Sequence, residues 1–139
     1  LRIGVALSRE GGFLPPMQTA ARLLVRQMGD GRQWVPWVHI DDVAHVCSFL
    51  IANPQASGVY NVTAPQSVTN AGFMAALAHA LSTPRLLSVP VWVLRRGMGE
   101  QASVLLDSQK VLPDRLLKAG YRFKYPTIDI ALDYLVHRR

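Results

Sequence analysis

The chain is 139 residues long, with 15 lysines and arginines against nine aspartates and glutamates, for a formal charge of +6. Half of it is hydrophobic and 17% is charged, a globular composition that excludes a disordered tail, and no apolar stretch approaches the ~18 residues needed to span a bilayer. The single cysteine, Cys47, excludes an intrachain disulfide and fits a reducing compartment; Leu1-Arg2-Ile3-Gly4 carries neither a basic leader nor a cleavage pattern, so cytoplasm is the expected location and no membrane partner is expected. The basic residues are spread out, with only Arg95-Arg96 and Arg138-Arg139 adjacent. No basic helix or RNA-binding aromatic motif accompanies them, so nucleic acid is not expected as a partner.

Arg2 to Ser8 has the β-branched, apolar texture of a strand buried on both faces, as in a parallel sheet. Pro15 and Pro16 allow a helix start, and Ala20, Leu23, Leu24 and Met28 fall at helical spacing, which predicts a helix over Thr19 to Met28 closed by Gly29. Trp34 to Ile40 reads as extended, with Pro36 marking an edge or a bend. Asp41 is the expected N-cap of a helix whose stripe is Val43, Val46, Cys47, Leu50 and Ile51. Val59 to Val62 predicts a strand; Thr69 then caps a helix to Leu81 with Phe73, Ala76, Leu77 and Ala80 inward. Leu86 to Val89 suits a short strand, Pro90 the first position of a helix to Met98, and Pro113 to Ala119 a short helix ended by Gly120. Thr127 caps the last helix, with Ile128, Ala131, Leu132 and Leu135 as its stripe. Short strands alternating with longer helices give an α/β fold class.

The stretch Gly29-Asp30-Gly31-Arg32-Gln33-Trp34-Val35-Pro36-Trp37-Val38-His39-Ile40-Asp41-Asp42 orders a glycine turn, an aromatic extended run and a capped helix. With Arg2-Ile3-Gly4-Val5-Ala6-Leu7-Ser8-Arg9-Glu10-Gly11-Gly12, Tyr60-Asn61-Val62-Thr63-Ala64-Pro65 and Thr69-Asn70-Ala71, it resembles the epimerase-like branch of the extended short-chain dehydrogenase/reductases, the nucleoside-diphosphate-sugar epimerase and cell-division-inhibitor-related group. Gln109-Lys110-Val111-Leu112-Pro113 with Leu117-x-x-Gly120-Tyr121-x-Phe123-x-Tyr125-Pro126 is similar to the small domain of unknown function that closes this family.

The resemblance implies a Rossmann-like fold holding NADP or NAD, of which this chain supplies the last parallel strands and a small mixed α/β substrate lobe. Residues 1–83 would be the late Rossmann strands and the start of that lobe, and 84–139 the family's C-terminal domain of unknown function. It also implies reversible hydride transfer between the nicotinamide and a small-molecule substrate in the whole protein. The residues themselves carry no G-x-G-x-x-G, and none of Tyr60, Tyr121, Tyr125 or Tyr134 is followed four residues later by lysine. The expectation is that Leu1 is a cut edge, that the dinucleotide loop and the catalytic tyrosine and lysine lie before it, and that the chain alone is inactive. The alternative is a non-catalytic binding or regulatory module on the same fold.

Five residues are candidate substrate contacts. Ser8 follows the first strand, and ligands in open α/β sheets bind at strand carboxyl ends. Arg32, past the glycine turn, is weighed as a contact to an anionic group against a solvated turn residue. Trp34 and Trp37 point to opposite faces of an extended strand, one toward the core and one toward a cleft. His39 is weighed as a structural histidine bonding backbone near the aspartates against a substrate contact. Related nucleotide-sugar enzymes place a diphosphate-clamping arginine where this chain has Val35 and Pro36, which tells against a nucleotide sugar. His45, His79 and His137 are isolated, and no metal-ligand spacing joins them to Cys47, which reads as an inert buried thiol. An opening strand without upstream partners is expected to leave an open sheet edge that favours self-association.

Overall fold

The structure, a computed structural model, describes residues 1–138, and the side chains of all of these but 98, 101, 104 and 105. Arg139, the second member of the terminal basic pair, lies outside the described residues. The chain folds as a mixed α/β, Rossmann-like fragment built from two-stranded pairs, three parallel and one antiparallel.

The expected single strand over Arg2 to Ser8 is two. β1 (Arg2–Ile3) pairs in parallel with β6 (Asn61–Val62), and β2 (Val5–Leu7) pairs in parallel with β5 (Trp37–His39). The change of partner happens at Gly4, whose N–H donates to Val62 O at 3.1 Å while the next amide, of Val5, donates to Pro36 O at 2.6 Å. A Cβ on Gly4 would lie 2.2 Å from Pro36 O and 2.9 Å from Thr63 Cγ2. Only glycine lets the three strands meet here.

The helix expected over Thr19 to Met28 is also corrected. α1 runs Leu14–Arg22 from the proline pair, burying Leu14, Met17 and Ala21; Leu24 turns left-handed at φ 66°, and β3 (Val25–Met28) follows. β3 pairs in parallel with β8 (Leu87–Val89), so ladder bonds to a strand about sixty residues away replace the helical bonds that local spacing suggested.

Pro36 interrupts the aromatic run. β4 (Trp34–Val35) lies antiparallel to β7 (Val68–Thr69), and β5 resumes beyond the proline. α2 (Ile40–Ile51) is capped by His39, not Asp41: Nδ1 of His39 accepts from the Asp41 amide at 3.1 Å, two residues earlier than the aspartate rule places the cap. Its expected stripe holds only partly, since Val46 is buried while Ile51 is 86% exposed and Cys47 is half-buried.

α3 (Asn70–Leu81) begins as expected, with Thr69 Oγ1 accepting from Gly72 N at 3.2 Å. α4 (Val91–Met98) starts one place later than expected, Pro90 standing at its N-cap; a 3₁₀ turn and α5 (Ala102–Leu106) follow. α6 (Asp114–Lys118) and α7 (Ile128–His137) close the chain, and Ile128, Ala131, Leu132 and Leu135 of α7 are all buried. Thr127 stands at the N-cap of α7 without a side-chain bond; Gln66 Oε1 accepts from Ile128 N at 2.7 Å instead.

The larger core packs α1, α3 and α7 around Phe73, Met74, Leu77 and Trp37, joining residues from both ends of the chain. A smaller one lies beneath α2 and α6, with Val38, Val46, Tyr60, Val62, Leu116 and Tyr121. Two cores leave a seam between them. The Gly4 crossing lies along it.

Candidate functional site

A cavity of about 520 Å³ opens at that crossing, lined by Arg2, Gly4, Pro36, Thr63, Lys110 and Asp114 among others. It is continued by a narrow slit between Trp34 and the segment Gln109-Lys110-Val111. That segment is a return strap, brought back from α5 across strands far earlier in the chain. Three contacts hold it: Trp34 N donates to Ser108 Oγ at 3.0 Å, Thr63 Oγ1 to Val111 O at 3.2 Å, and Asn61 Nδ2 to Leu112 O at 3.5 Å. Lys110 Nζ stands 4.7 Å from the centroid of the Trp34 ring, a cation–π distance.

A second cavity, about 510 Å³, lies between the Gly29–Gln33 turn and α4, with Arg32, Arg95 and Ser108 on its walls. Its turn is held from below. Asn70 Oδ1 accepts from Met28 N at 2.8 Å, Gln33 Nε2 donates to Met28 O at 2.9 Å, and Asn70 N donates to Gln33 O at 2.8 Å. Gly31 sits at φ 71°, and a Cβ there would fall 2.9 Å from Ala71 Cβ. Turn and helix start are thereby locked together, which fixes Arg32 on the wall of this cavity and Trp34 on the wall of the slit.

The carboxyl end of β2 and β5 is a different environment. Leu7 and His39 are register partners, so Ser8 and His39 emerge side by side. His39 is 1% exposed, stacked on Tyr125 at 3.7 Å with Tyr134 edge-on at 5.5 Å. Burial pulls its pKa below the usual 6.5, against the opposing pull of Asp41 and Asp42. Next to it Asp42 is wholly buried: its Oδ1 accepts from the Tyr121 hydroxyl at 3.0 Å and Lys124 N at 2.9 Å, and its Oδ2 from Tyr125 N at 2.9 Å. Burial above all, then the Asp42 charge, raises the Tyr121 phenol well above its ordinary value. Arg9 donates to the Tyr134 carbonyl, and Ser8 Oγ accepts from Glu10 N at 3.2 Å. These contacts clamp the chain's tail onto the start of α2.

The five sequence candidates therefore separate. Arg32 and Trp34 border the two cavities; Trp37 is buried at 1% exposure, its Nε1 donating to Gln66 O at 2.9 Å; Ser8 and His39 lie at the clamped end. Sequence reasoning missed Thr63, Asn70 and the 108–112 strap. A polar threonine inside a strand-to-turn run and an asparagine just after a helix cap are weak signals, and nothing local tells that the strap folds back.

Residues 9–63 match the NAD dependent epimerase/dehydratase family, and residues 89–135 match a domain of unknown function, DUF1731. The epimerase family protein SAR0825 of Staphylococcus aureus (strain MRSA252) is 38% identical over 138 residues, 99% of this chain and 46% of that protein. The crystal structure of human epimerase family protein SDR39U1 (isoform 2) with NADPH is similar at a TM-score of 0.92 and 34% identity, covering 99% of this chain and 48% of that one. The nucleoside-diphosphate sugar epimerase from Corynebacterium glutamicum is similar at a TM-score of 0.69 and 27% identity, over 99% of this chain and 27% of that one. The chain spans about half the length of the curated relatives it matches.

Proposed function

We propose that this chain, whose residues 9–63 match the NAD dependent epimerase/dehydratase family and whose residues 89–135 match DUF1731, forms the substrate-side half of an NAD(P)-dependent epimerase- or oxidoreductase-like enzyme acting on a small molecule. The observation that carries this reading is the 520 Å³ cleft at the Gly4 crossing, where parallel strands change partners and the DUF1731 strap closes over them. The cleft opens at the carboxyl ends of β1 and β6, the side on which open α/β sheets bind ligands, and at the amino ends of β2 and β5. Trp34, on the slit that continues the cleft, and Arg32, on the neighbouring cavity beside α4, are the sequence candidates that fit a substrate role. Ser8, His39 and Trp37 fit a positioning role through β2 and β5. The division into 1–83 and 84–139 is kept as part of the proposal, supported by family matches that fall on either side of it.

The chain's own residues do not fit the pyrophosphate of a dinucleotide. Such a cradle needs glycines that bring helix-terminal amides up to the phosphates. Among the described residues, of the helices with eight or more residues only α1 has glycines just ahead of it, and Gly12 is bridged back to Leu7. The pyrophosphate of NADPH, the dinucleotide bound in the structure of the human relative, would rest on further polypeptide, which leaves its other groups to meet the cleft. Among the described residues no helix is long and apolar enough to cross a membrane. Hydrogen exchange of a full-length polypeptide with and without NADPH tests the reading: slowing at 108–112 supports it, and an unchanged cleft overturns it.

The outer side of β1 favours self-association of this chain alone. Among the described residues β1 pairs on one side only, with β6; Leu1 and Ile3 are 55% and 50% exposed, and Leu1 shares a surface pocket with Ile51. Light scattering is expected to give a mass above one chain at micromolar concentration. A clean monomer would contradict the open edge.

A further inference from the structure

We propose that Lys110, carried on the return strap, is the anion-recognition residue of the cleft and takes a phosphoryl group of the bound ligand; this rests on the reading of the cleft as the substrate side. Lys110 is common to the walls of the 520 Å³ cavity and the slit beside Trp34. It is exposed, and among the described residues no carboxylate lies within 4 Å of its Nζ; its partner is the face of Trp34. An ammonium group parked on an indole is held in place yet keeps its donors free for an anion.

The strap gives that cation a fixed post. Backbone and side chains on both sides of Lys110 are tied at three points, through Ser108 to Trp34, Val111 to Thr63 and Leu112 to Asn61. Arg2 adds a second cation to the same cavity, without an ion-pair partner among the described residues, against one lining carboxylate, Asp114. The strand alongside carries Val35 and Pro36, which offer an anion no charge. A segment from the DUF1731 half thus supplies positive charge that the neighbouring strand lacks. Phosphoryl oxygens accept several charge-assisted bonds at once, which suits a lysine that shares its cavity with an arginine.

The phosphoryl group could belong to a substrate or to the dinucleotide, and the test separates the two. Inorganic pyrophosphate is titrated into this chain while tryptophan emission is followed, since drawing Lys110 off the ring changes the surroundings of Trp34. Saturable binding that weakens with salt is expected, roughly tenfold weaker in Lys110→Gln and restored at least in part by Lys110→Arg. Lys118→Gln, on α6 outside the cleft, leaves it unchanged. UDP and NADPH are then titrated into the full-length polypeptide. Weakening by Lys110→Gln confined to UDP assigns the phosphoryl group to a substrate, and weakening confined to NADPH assigns it to the dinucleotide. No pyrophosphate binding, equal binding by wild type and Lys110→Gln, or Lys110→Arg as weak as Lys110→Gln would each overturn the inference. Exchange protection of the cleft by NADPH would survive that outcome, so failure here is distinct from failure of the proposed function.

Discussion

Replacing Asp42 with alanine is expected to destabilise the fold by about 3–5 kcal/mol, from two backbone amides left without an acceptor and a tyrosine hydroxyl left with only its 3.3 Å bond to Asp42 O, at about 1–3 kcal/mol each. The donors are the Tyr121 hydroxyl and the amides of Lys124 and Tyr125, all on the tail, while the carboxylate sits in the first turn of α2. One side chain therefore joins segments about eighty residues apart, and helix-terminal N–H groups stabilise its charge. An asparagine in place of the aspartate keeps the volume but turns an N–H₂ toward N–H donors, so Asp42→Asn should recover little. Tyr121→Phe removes only one donor together with its need and should cost clearly less. Urea unfolding followed by circular dichroism reads the series. A loss below about 1 kcal/mol for Asp42→Ala would mean that the tail is not held through this carboxylate.

Gly4→Ala is the second large effect, expected at about 3 kcal/mol, the upper end of ordinary overpacking. The new methyl group would stand 2.2 Å from a backbone oxygen, Pro36 O, which cannot swing aside as a flexible side chain could. Relief requires β4 and β5 to part from β2, and that movement breaks the Val5–Pro36 bond and reshapes the cleft at its base. Gly97→Ala is the control. Gly97 lies in α4 with nothing within 4 Å of a Cβ, so alanine there should be neutral or stabilising by up to about 1 kcal/mol. Equal effects at the two positions would show that the crossing tolerates side chains and that its geometry is not what shapes the site.

These two residues also show where a linear reading stops. The stripes of α3 and α7 were legible because their burial follows one helix's own periodicity, and Thr69 capped α3 as its residue type requires. The break at Gly4 was not, because it depends on two strands more than thirty residues away. β3 was read as helix because Leu24 and Met28 suit either period; its pairing with β8 decided the matter. Asp41 lost the capping role to His39 because its side chain turns instead toward Lys124 and Tyr125. The aromatic run pointed to the cleft through Arg32 and Trp34, yet Lys110 could be found only once the strap was seen to fold back.

Charge supports the same picture at longer range. With a formal net charge of +6, the chain presents a cationic surface to any anionic ligand approaching the cleft, an attraction that salt should screen.

The most direct measurement is hydrogen exchange, read by mass spectrometry, on a full-length polypeptide carrying this segment, with and without saturating NADPH. The expected result is slower exchange in the peptides covering Trp34 to Pro36 and Ser108 to Leu112, with no change at the clamped end around Arg9 to Gly12 and Tyr121 to Lys124. Binding of NADPH that protects only that clamped end, or leaves the whole segment unaltered, would contradict the assignment of the cleft as the face this chain offers to the reaction.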